Sequence, residues 1–416
     1  MLSTLRAALK VEDTRKKIIF TLLMFLVFRI GAHIPVPGID NSIIQQLTGQ
    51  AKILGFFDMV AGGAFSNFSI FAMSITPYIN ASIIMQLLTV IVPKLEQMAK
   101  EDRKKMAEYT RYLTVILGFI QAVGLSFGFK RALIDPSFGS MALVALTLTA
   151  GTACLMWIGE SITDKGIGNG ISLIIFAGIV SRIPSGTIYL VKYAMQGGAA
   201  VLSVIAFLII AVVSIIVVVL VHEGERRVPV QYAKRVVGRK VYGGQSTHIP
   251  IKVNSAGVIP VIFAISILMF PSTIASFFPD NGVASWIANT FTSGNWVYNI
   301  IYMLLIIFFT YFYSSITFNP IDVADNIKKN GGFIPGLRPG RPTSEYITKI
   351  MSRITLYGAF FLAIIAVLPS VLSTFTGLDL SFGGTALLIV VGVALDTMKQ
   401  MEASLMMRSY EGFMKK

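Results

Sequence analysis

Ten apolar runs of roughly membrane-spanning length dominate the sequence and constrain its fold more than any other feature. Hydrophobic residues make up 54% of the 416-residue chain, and charged residues only 13%, about half the charged share of a typical soluble domain. About 20 apolar helical residues cross the roughly 30 Å hydrocarbon core of a bilayer. The composition therefore predicts a polytopic membrane protein. The runs are Ile18–Ile34, Ala72–Val92, Tyr112–Phe129, Ser140–Gly159, Ile171–Pro184, Ala200–Val221, Ala256–Phe278, Trp296–Phe318, Ile354–Leu372 and Gly383–Met398.

The distribution of basic residues predicts the orientation of these runs. The first run follows a basic segment, as in a signal peptide, but no small-residue cleavage site comes after it, so we interpret it as the first span. With ten spans, the side that carries both termini holds 29 Lys and Arg and the opposite side five, while Arg29 lies inside the first run. Because cytoplasmic loops carry an excess of Lys and Arg, we expect both termini in the cytoplasm.

Ten spans divide into two halves of five, residues 1–184 and 185–416. A five-span unit duplicated in tandem must insert with opposite orientations, so the span number favours an inverted repeat, although the halves share no residue-level similarity. The fifth run is short and follows the glycine-rich stretch Gly166–Gly170. Such interrupted spans are typical of helices that line a cavity.

The stretch from Phe56 to Val92 contains no Lys or Arg and only one carboxylate, Asp58. As one helix it would run roughly 55 Å, which is too long for a single span. It therefore predicts a short re-entrant or interfacial segment, followed by a true span entered near Pro77. An external loop lying on the membrane is the alternative.

The sequence contains no pattern typical of an enzyme. It has no HExxH, GxSxG or P-loop motif. Its three histidines lie far apart, and its only cysteine, Cys154, lies in an apolar run. We expect no catalytic residues, no metal and no cofactor. Arg29 either snorkels or makes one structural hydrogen bond. A proton- or sodium-coupled transporter would need several carboxylates near the midplane of the membrane, and the spans do not supply them.

The basic loop 222–255 is expected to be cytoplasmic and to contain two strands. Side chains alternate between apolar and polar in Val228–Tyr232 and again in Thr247–Val253. The two strands would present a basic tip around Gly238. The cations of this tip are Lys234, Arg235, Arg239 and Lys240. An unstructured basic loop lying on anionic lipid is the alternative.

The loop 319–349 contains a second basic projection. Asn319 and Pro320 are typical helix-opening residues, and Gly331 and Gly332 are expected to end this short helix. Prolines then stiffen the segment that carries two cations, Arg338 and Arg341. Two basic projections on one face favour docking of a large anionic partner, such as ribosomal RNA or an acidic protein surface. An ordinary solvated connector is the alternative.

Long stretches of the chain resemble the SecY family, whose members are the central subunits of the bacterial protein-conducting channel. The stretches are Phe28–Asp40, Gly62–Leu88, Asp164–Val180, Tyr232–Pro260, Phe318–Gly340 and Phe382–Asp396. They occur in the family's order and span essentially the whole chain. The resemblance implies an all-α fold of ten transmembrane helices, in two inverted five-helix halves around a central pore, with a re-entrant plug half-helix and a cytoplasmic hairpin-like loop.

The resemblance also implies functional positions. The plug, about residues 57–69, would include Phe57, Asp58, Gly62, Gly63, Phe65 and Asn67. The pore ring would consist of Ile75, Ile79, Ile171, Ile175, Ile262 and Ile389. Without the family motif, an isoleucine in a span more often faces lipid or a neighbouring helix. The lateral gate would include Asn80, Gln121 and Asn254, and the two basic projections would dock the partner.

By this resemblance, the chain is expected to pass unfolded polypeptides across the bacterial cytoplasmic membrane and to release hydrophobic segments laterally into lipid. The expected partners are the small membrane subunits SecE and SecG, the SecA ATPase, the ribosome, preproteins with signal sequences, and membrane lipid. Energy must come from a docked motor or ribosome, because the sequence has no nucleotide site. The alternative function is that of a small-solute secondary transporter with an inverted repeat.

Overall fold

A computed structural model describes residues 8–44, 58, 61–232, 235–237, 240–242, 246–275, 282–291, 295–376 and 384–414. Helices account for most of these residues. In chain order they are α1 (Glu12–Gly31), α2 (Thr76–Ile91), α3 (Pro93–Glu101), α4 (Arg103–Gly128), α5 (Phe138–Lys165), α6 (Gly170–Ala194), α7 (Ala199–Glu223), α8 (Ile259–Ala275), α9 (Gly282–Thr290), α10 (Trp296–Thr317), α11 (Pro320–Lys329), α12 (Arg341–Thr376) and α13 (Gly384–Met414).

Each predicted apolar run corresponds to one long helix: α1, α2, α4, α5, α6, α7, α8, α10, α12 and α13 in order. In the described part of the chain, six helices are by themselves long and apolar enough to cross a membrane. A seventh span results if α2 and α3 are joined across their 111° bend. Side-chain caps begin several of these helices. Asn169, for example, accepts hydrogen bonds from the backbone N–H of Ile171 and Ser172, both at 3.1 Å.

The fifth span is longer than the sequence predicted. Helix α6 continues through Pro184 to Ala194. Proline removes one backbone hydrogen bond, but the residues beyond it remain apolar, and backbone in hydrocarbon stays helical to satisfy its polar groups. The chain instead turns at Gly197 and Gly198, both with positive φ. The predicted division after residue 184 falls within α6 and stays a prediction, and Arg182 lies within the same helix.

The long helices share one continuous hydrophobic core. Its largest fully buried side chains come from both predicted halves, among them Phe28 of α1, Leu148 of α5 and Phe309 of α10. Helix α6 contacts both α7 and α13, and α2 contacts α8. The two halves therefore meet along more than one line, including the line between α2 and α8 where the lateral gate was predicted.

The loop after α7 forms the predicted strands. They are β1 (Glu225–Tyr232) and β4 (Ser246–Lys252), and they pair antiparallel with Val228 opposite Ile249. Between them, β2 (Arg235–Val237) and β3 (Lys240–Tyr242) form a small hairpin of their own. The other edge of β1 pairs with β5 (Gly332–Phe333), which belongs to the loop after α11. The two basic loops therefore form one unit with a three-stranded sheet, which the sequence did not predict.

This unit has its own hydrophobic core. Helix α11 begins as predicted, because the Asn319 side chain accepts a hydrogen bond from the Ile321 N–H at 3.1 Å. It packs with the first turns of α12 against the sheet. The buried side chains between them are Val228, Val230, Ile251, Ile327, Ile334 and Ile347. Apolar packing therefore fixes both basic loops relative to the helices.

Candidate functional site

The segment 61–75, which precedes α2, is named the turn segment here. Of the half-helix predicted over about 57–69, Asp58 is helical, and residues 61–69 form turns with an isolated bridge at Ser69. The reason lies in its backbone: Gly62, Gly63, Phe68 and Ser74 all have positive φ, which interrupts helical geometry. Phe57 lies outside the described residues.

The turn segment folds back beside the end of α1, as predicted for a re-entrant segment. The Val36 N–H donates to the Phe68 carbonyl at 2.9 Å, and the Ile70 N–H donates to the Ile34 carbonyl at 3.0 Å. These bonds satisfy backbone groups that a buried non-helical segment would otherwise leave unpaired. The following helix begins at Thr76, with Pro77 in its first turn, also as predicted.

Close packing fixes the turn segment in the core. Phe65 and Phe68 are buried and meet Phe129 edge to face, with ring centroids 5.9 and 5.6 Å away. Helices α1 and α5 each approach the turn segment at a glycine. A Cβ added at Gly31 would lie 2.0 Å from the Phe71 ring, and one added at Gly151 would lie 1.8 Å from the Ile70 carbonyl oxygen. Of the predicted plug residues, Asn67 is only half-buried.

Three charged side chains, Arg29, Asp58 and Arg182, hold this region and are named the polar clamp here. The Arg182 Nη2 forms an ion pair with the Asp58 Oδ2, and the Asp58 side chain is only 3% exposed. The other Asp58 carboxylate oxygen accepts a hydrogen bond from the Ser66 N–H at 2.7 Å. The Arg29 Nη1 donates to the Gly62 carbonyl at 2.8 Å. The clamp therefore ties the turn segment to α1 and α6.

Sequence reasoning found two members of the clamp and missed the third. For Arg29, the structure confirms the alternative of one structural hydrogen bond. Arg182 was one of the five cations counted on the side opposite the termini, although it falls within the predicted fifth run. The buried carboxylate was the signal that could have identified it, since a buried charge requires a partner. Arg29 and Arg182 are the arginines of α1 and α6 that lie within the apolar part of those helices.

The six predicted ring isoleucines all lie in or against the central core. Five are buried, namely Ile75, Ile79, Ile175, Ile262 and Ile389, and Ile171 packs against the same core while half-buried. A Cβ added at Gly159 of α5 would lie 3.3 Å from Ile171 and 3.5 Å from Ile75. The turn segment and the first turn of α6 therefore bring these two isoleucines to one place. The ring itself stays a prediction.

The predicted gate residues lie at or near the contact of α2 with α8. Asn80 of α2, Gln121 of α4 and Asn254, just before α8, are all buried. The Asn254 Nδ2 donates to the Gly257 carbonyl at 3.0 Å, and its Oδ1 is buried without a hydrogen-bond partner. A buried unsatisfied oxygen is costly, which fits a position that changes partners. The gate role of the three residues stays a prediction.

The predicted docking residues are described only in part. Lys234 and Arg239 lie outside the described residues, and Arg235 and Lys240 are described only as backbone of β2 and β3. Arg338 and Arg341 are exposed, and Arg341 donates to Glu345 at 3.0 Å. The Thr343 hydroxyl donates to the Arg338 carbonyl at 2.9 Å, which fixes this part of the loop. Among the described residues, no cluster of His, Cys, Asp and Glu could hold a metal ion.

Comparisons with known proteins agree with this architecture. A family model described as SecY matches residues 69–398. The protein translocase subunit SecY of Halalkalibacterium halodurans is 52% identical over the full length of both chains. That of Bacillus subtilis is 50% identical over the full length of both, and that of Thermotoga maritima is 46% identical over 100% of this chain and 98% of its own.

Solved structures show the same fold at lower identity. A structure titled as that of a protein-conducting channel has a TM-score of 0.69 at 20% identity and covers 94% of this chain and 92% of its own. Sec61 from the canine ribosome-channel complex has a TM-score of 0.65 at 19% identity, with the same two coverages. These similarities confirm the predicted fold class.

Proposed function

The chain belongs to the SecY family of protein translocase subunits, and from this premise we propose how its parts form a protein-conducting channel. As a channel subunit it carries polypeptides across a membrane, and the alternative of a small-solute transporter is set aside. The proposed substrates are unfolded preproteins with signal sequences, and the proposed location is the bacterial cytoplasmic membrane, with both termini in the cytoplasm.

One observation supports the proposed closed state above all others: a non-helical segment is buried in the middle of the helix bundle. We assign the turn segment, together with Asp58, as a plug. Its last residue, Ile75, precedes α2, and Ile79 lies in the first turn of that helix. We assign these two isoleucines to a ring with Ile171, Ile175, Ile262 and Ile389. A narrow apolar ring dewets and resists ions, yet it deforms around chemically varied chains. The plug would add a second seal beside it.

Opening then requires the contacts of the polar clamp to break, namely the ion pair of Asp58 with Arg182 and the hydrogen bond from Arg29 to the Gly62 carbonyl. In the closed state, the charged groups of the clamp contact each other and the turn segment. Once the pore fills, these groups can bind water instead. Ion pairs that lose their burial lose little free energy when they separate, because water screens and solvates them. The clamp therefore stabilises the closed state while water is excluded from the pore, and it holds the plug only weakly once water has entered.

We place the lateral gate at the contact of α2 with α8. Hydrogen bonds within membranes average about 0.6 kcal/mol, so a seam that contains Asn80, Gln121 and Asn254 can close and still be opened by a hydrophobic segment. Pro260 and Pro271 allow α8 to bend as the seam opens. Hydrophobic segments of the substrate would leave through this seam into lipid.

The energy for transport would come from a docked partner, because the sequence contains no nucleotide-binding motif. The sheet unit presents Arg338 and Arg341, together with the tip that carries Lys234, Arg235, Arg239 and Lys240. Its basic surface suits an anionic partner, for which we propose the SecA ATPase or a ribosome. The small membrane subunits SecE and SecG would cover apolar faces such as that of α7. In the most apolar stretch of 18 residues of that helix, only 11% of the residues are buried.

Reconstituted transport tests this proposal. Proteoliposomes that contain the chain with SecE and SecG are supplied with SecA, ATP and an unfolded preprotein, and protease-protected preprotein is measured. Transport is expected for the natural sequence and is expected to be lost in Arg338→Glu, because a reversed charge repels an anionic partner. Lys328→Glu, an equal charge change on α11, is the control. Normal transport in Arg338→Glu would show that Arg338 does not dock the partner. Absence of transport with the natural sequence would contradict the channel assignment.

A further inference from the structure

A crevice between α10, α11 and α12 lies apart from the plug and the gate, beside the docking residues of the loop 319–349. It consists of an open cavity of about 480 Å³ that adjoins one of about 260 Å³. Ile321 of α11 and Thr348 and Ser352 of α12 line both cavities, so the two are continuous. It lies at the end of the bundle that carries the three-stranded sheet, because α11 and the first turns of α12 pack on that sheet.

Two cations give the crevice its charge. Lys349 and Arg353 both line it, both are exposed, and their spacing of four residues puts them on one face of α12. In the part of the chain that the structure describes, neither forms an ion pair. The one carboxylate of the lining, Glu345, accepts a hydrogen bond from Arg341 at 3.0 Å. The crevice therefore has a net positive charge and is complementary to an anion.

Hydroxyl groups line the same space. Ser344, Thr348 and Ser352 follow one another at intervals of four residues along α12, and Tyr311 and Ser315 of α10 line the smaller cavity. The Tyr311 hydroxyl donates to the Ser352 carbonyl at 3.3 Å, which joins the two helices at this point. Hydroxyls can donate hydrogen bonds to anionic oxygens, and cations beside them strengthen such binding.

The position of the crevice along α10 and α12 places it at a membrane surface. Helix α12 has 36 residues and is therefore about 54 Å long, well beyond the roughly 30 Å of hydrocarbon that it crosses. Exposed apolar side chains follow Arg353 along α12, namely Leu356, Tyr357 and Phe360. On α10, Phe308 is exposed one turn before Tyr311 and Ile316 is exposed after it. The two cations thus lie beside exposed apolar side chains of both helices.

We propose that this crevice binds the phosphate headgroup of an anionic phospholipid. Lys349 and Arg353 contact the phosphate, and the hydroxyl of Ser352 donates a hydrogen bond to one of its oxygens, whereas the Thr348 hydroxyl donates to the Ser344 carbonyl at 2.9 Å. The acyl chains lie on the exposed apolar side chains of α10 and α12. These apolar side chains favour a lipid over free phosphate as the source of the anion. A basic pocket between helices at a membrane surface has the general character of such a site.

Native mass spectrometry of the purified chain in detergent tests the proposal, with titration of phosphatidylglycerol and, separately, of phosphatidylcholine. We expect one phosphatidylglycerol to bind more tightly than phosphatidylcholine. Lys349→Gln with Arg353→Gln is expected to weaken that binding roughly thirtyfold, because two cations near the headgroup are lost. The matched control is Lys328→Gln with Lys329→Gln, which removes two exposed cations from α11 and is expected to leave the binding unchanged.

A second variant and a competitor make the outcome decisive. Ser352→Leu fills the crevice without changing charge and is expected to weaken phosphatidylglycerol binding as well. Inorganic phosphate at millimolar concentration is expected not to displace the lipid. Unchanged binding in the Lys349 and Arg353 double variant, or equal weakening in the control, would overturn the site. Displacement by inorganic phosphate would assign the crevice to free phosphate instead and overturn the lipid as its ligand.

Discussion

The turn segment and the three-stranded sheet are two non-helical parts of the described chain, and they differ in how polar contacts contribute to holding them. The turn segment lies deep among helices, yet charged side chains hold it: Asp58 pairs with Arg182, and Arg29 binds the Gly62 carbonyl. The sheet lies at one end of the bundle, yet a closed apolar core holds it, with Val230 fully buried. The deeply buried part thus combines apolar packing with buried charged contacts, whereas the core of the peripheral part is apolar.

This difference separates a part that can move from a part that must stay fixed. Apolar packing loses its free energy whenever water enters, so the sheet unit has no second state of similar stability. In the proposed channel, the polar contacts of the turn segment are exchanged for contacts with water as the pore fills, which lowers the cost of moving this segment. The proposed partner would then push on a rigid sheet unit while the proposed plug yields.

The largest expected effect comes from breaking the apolar side of this comparison. Val230→Asp places an unpaired carboxylate in the sheet core and is expected to destabilise the sheet unit by about 4 kcal/mol. Limited proteolysis should then cleave within 225–252, while the resting ion conductance in planar bilayers stays low. Gln231→Asp, on the exposed neighbouring position, is the control. A conductance increase in Val230→Asp would show that the sheet also holds the plug.

A smaller effect is expected where α5 approaches the turn segment. Gly151→Ala puts a Cβ on the Ile70 carbonyl oxygen and is expected to cost about 3 kcal/mol of closed-state stability by overpacking. The measurement is the rate at which a thiol reagent modifies a cysteine placed at Phe65, which should rise. Gly139→Ala on the same helix is the control, because its added Cβ would have no neighbour nearer than 3.8 Å. Equal rates in the two variants would argue against close packing here.

The smallest effect is expected for the single hydrogen bond from Arg29. Arg29→Gln removes a charged donor and should weaken the closed state by about 1.5 kcal/mol. That amount raises the open fraction roughly tenfold, which single-channel recording can measure. Arg29→Lys retains the positive charge and should fall between the two. An open fraction equal in all three would show that the bond to the Gly62 carbonyl does not hold the plug.

Local patterns predicted the parts of the structure that depend on neighbouring residues. Hydrophobic runs predicted the ten long helices, alternation in Val228–Tyr232 predicted β1, and Asn319 with Pro320 predicted the start of α11. Each of these signals is contained within a few residues of chain. The course of α6 was missed because Pro184 is locally a stop signal, whereas the hydrocarbon environment keeps the backbone helical beyond it.

The parts that could not be predicted depend on contacts between distant residues. β5 is only two residues long and becomes a strand because β1 has a free edge beside it. Residues 61–75 form turns, with positive φ at Phe68 and Ser74, in a segment that packs against α1, α5 and α6. The pair of Asp58 with Arg182 joins segments from different spans. The family resemblance indicated a plug at this position without indicating what holds it.

The ion pair of the polar clamp gives the most direct test of this account. Asp58→Asn leaves Arg182 without its partner and is expected to cost the closed state about 3 kcal/mol, or roughly a hundredfold in the closed-to-open ratio. The exchange of the two charges, Asp58→Arg with Arg182→Asp, should restore part of that ratio. The measurement is the resting conductance of each purified variant in planar bilayers. We predict high conductance in Asp58→Asn and a marked decrease in the exchanged pair. A resting conductance in Asp58→Asn equal to that of the natural sequence would contradict the claim that buried charges hold the plug.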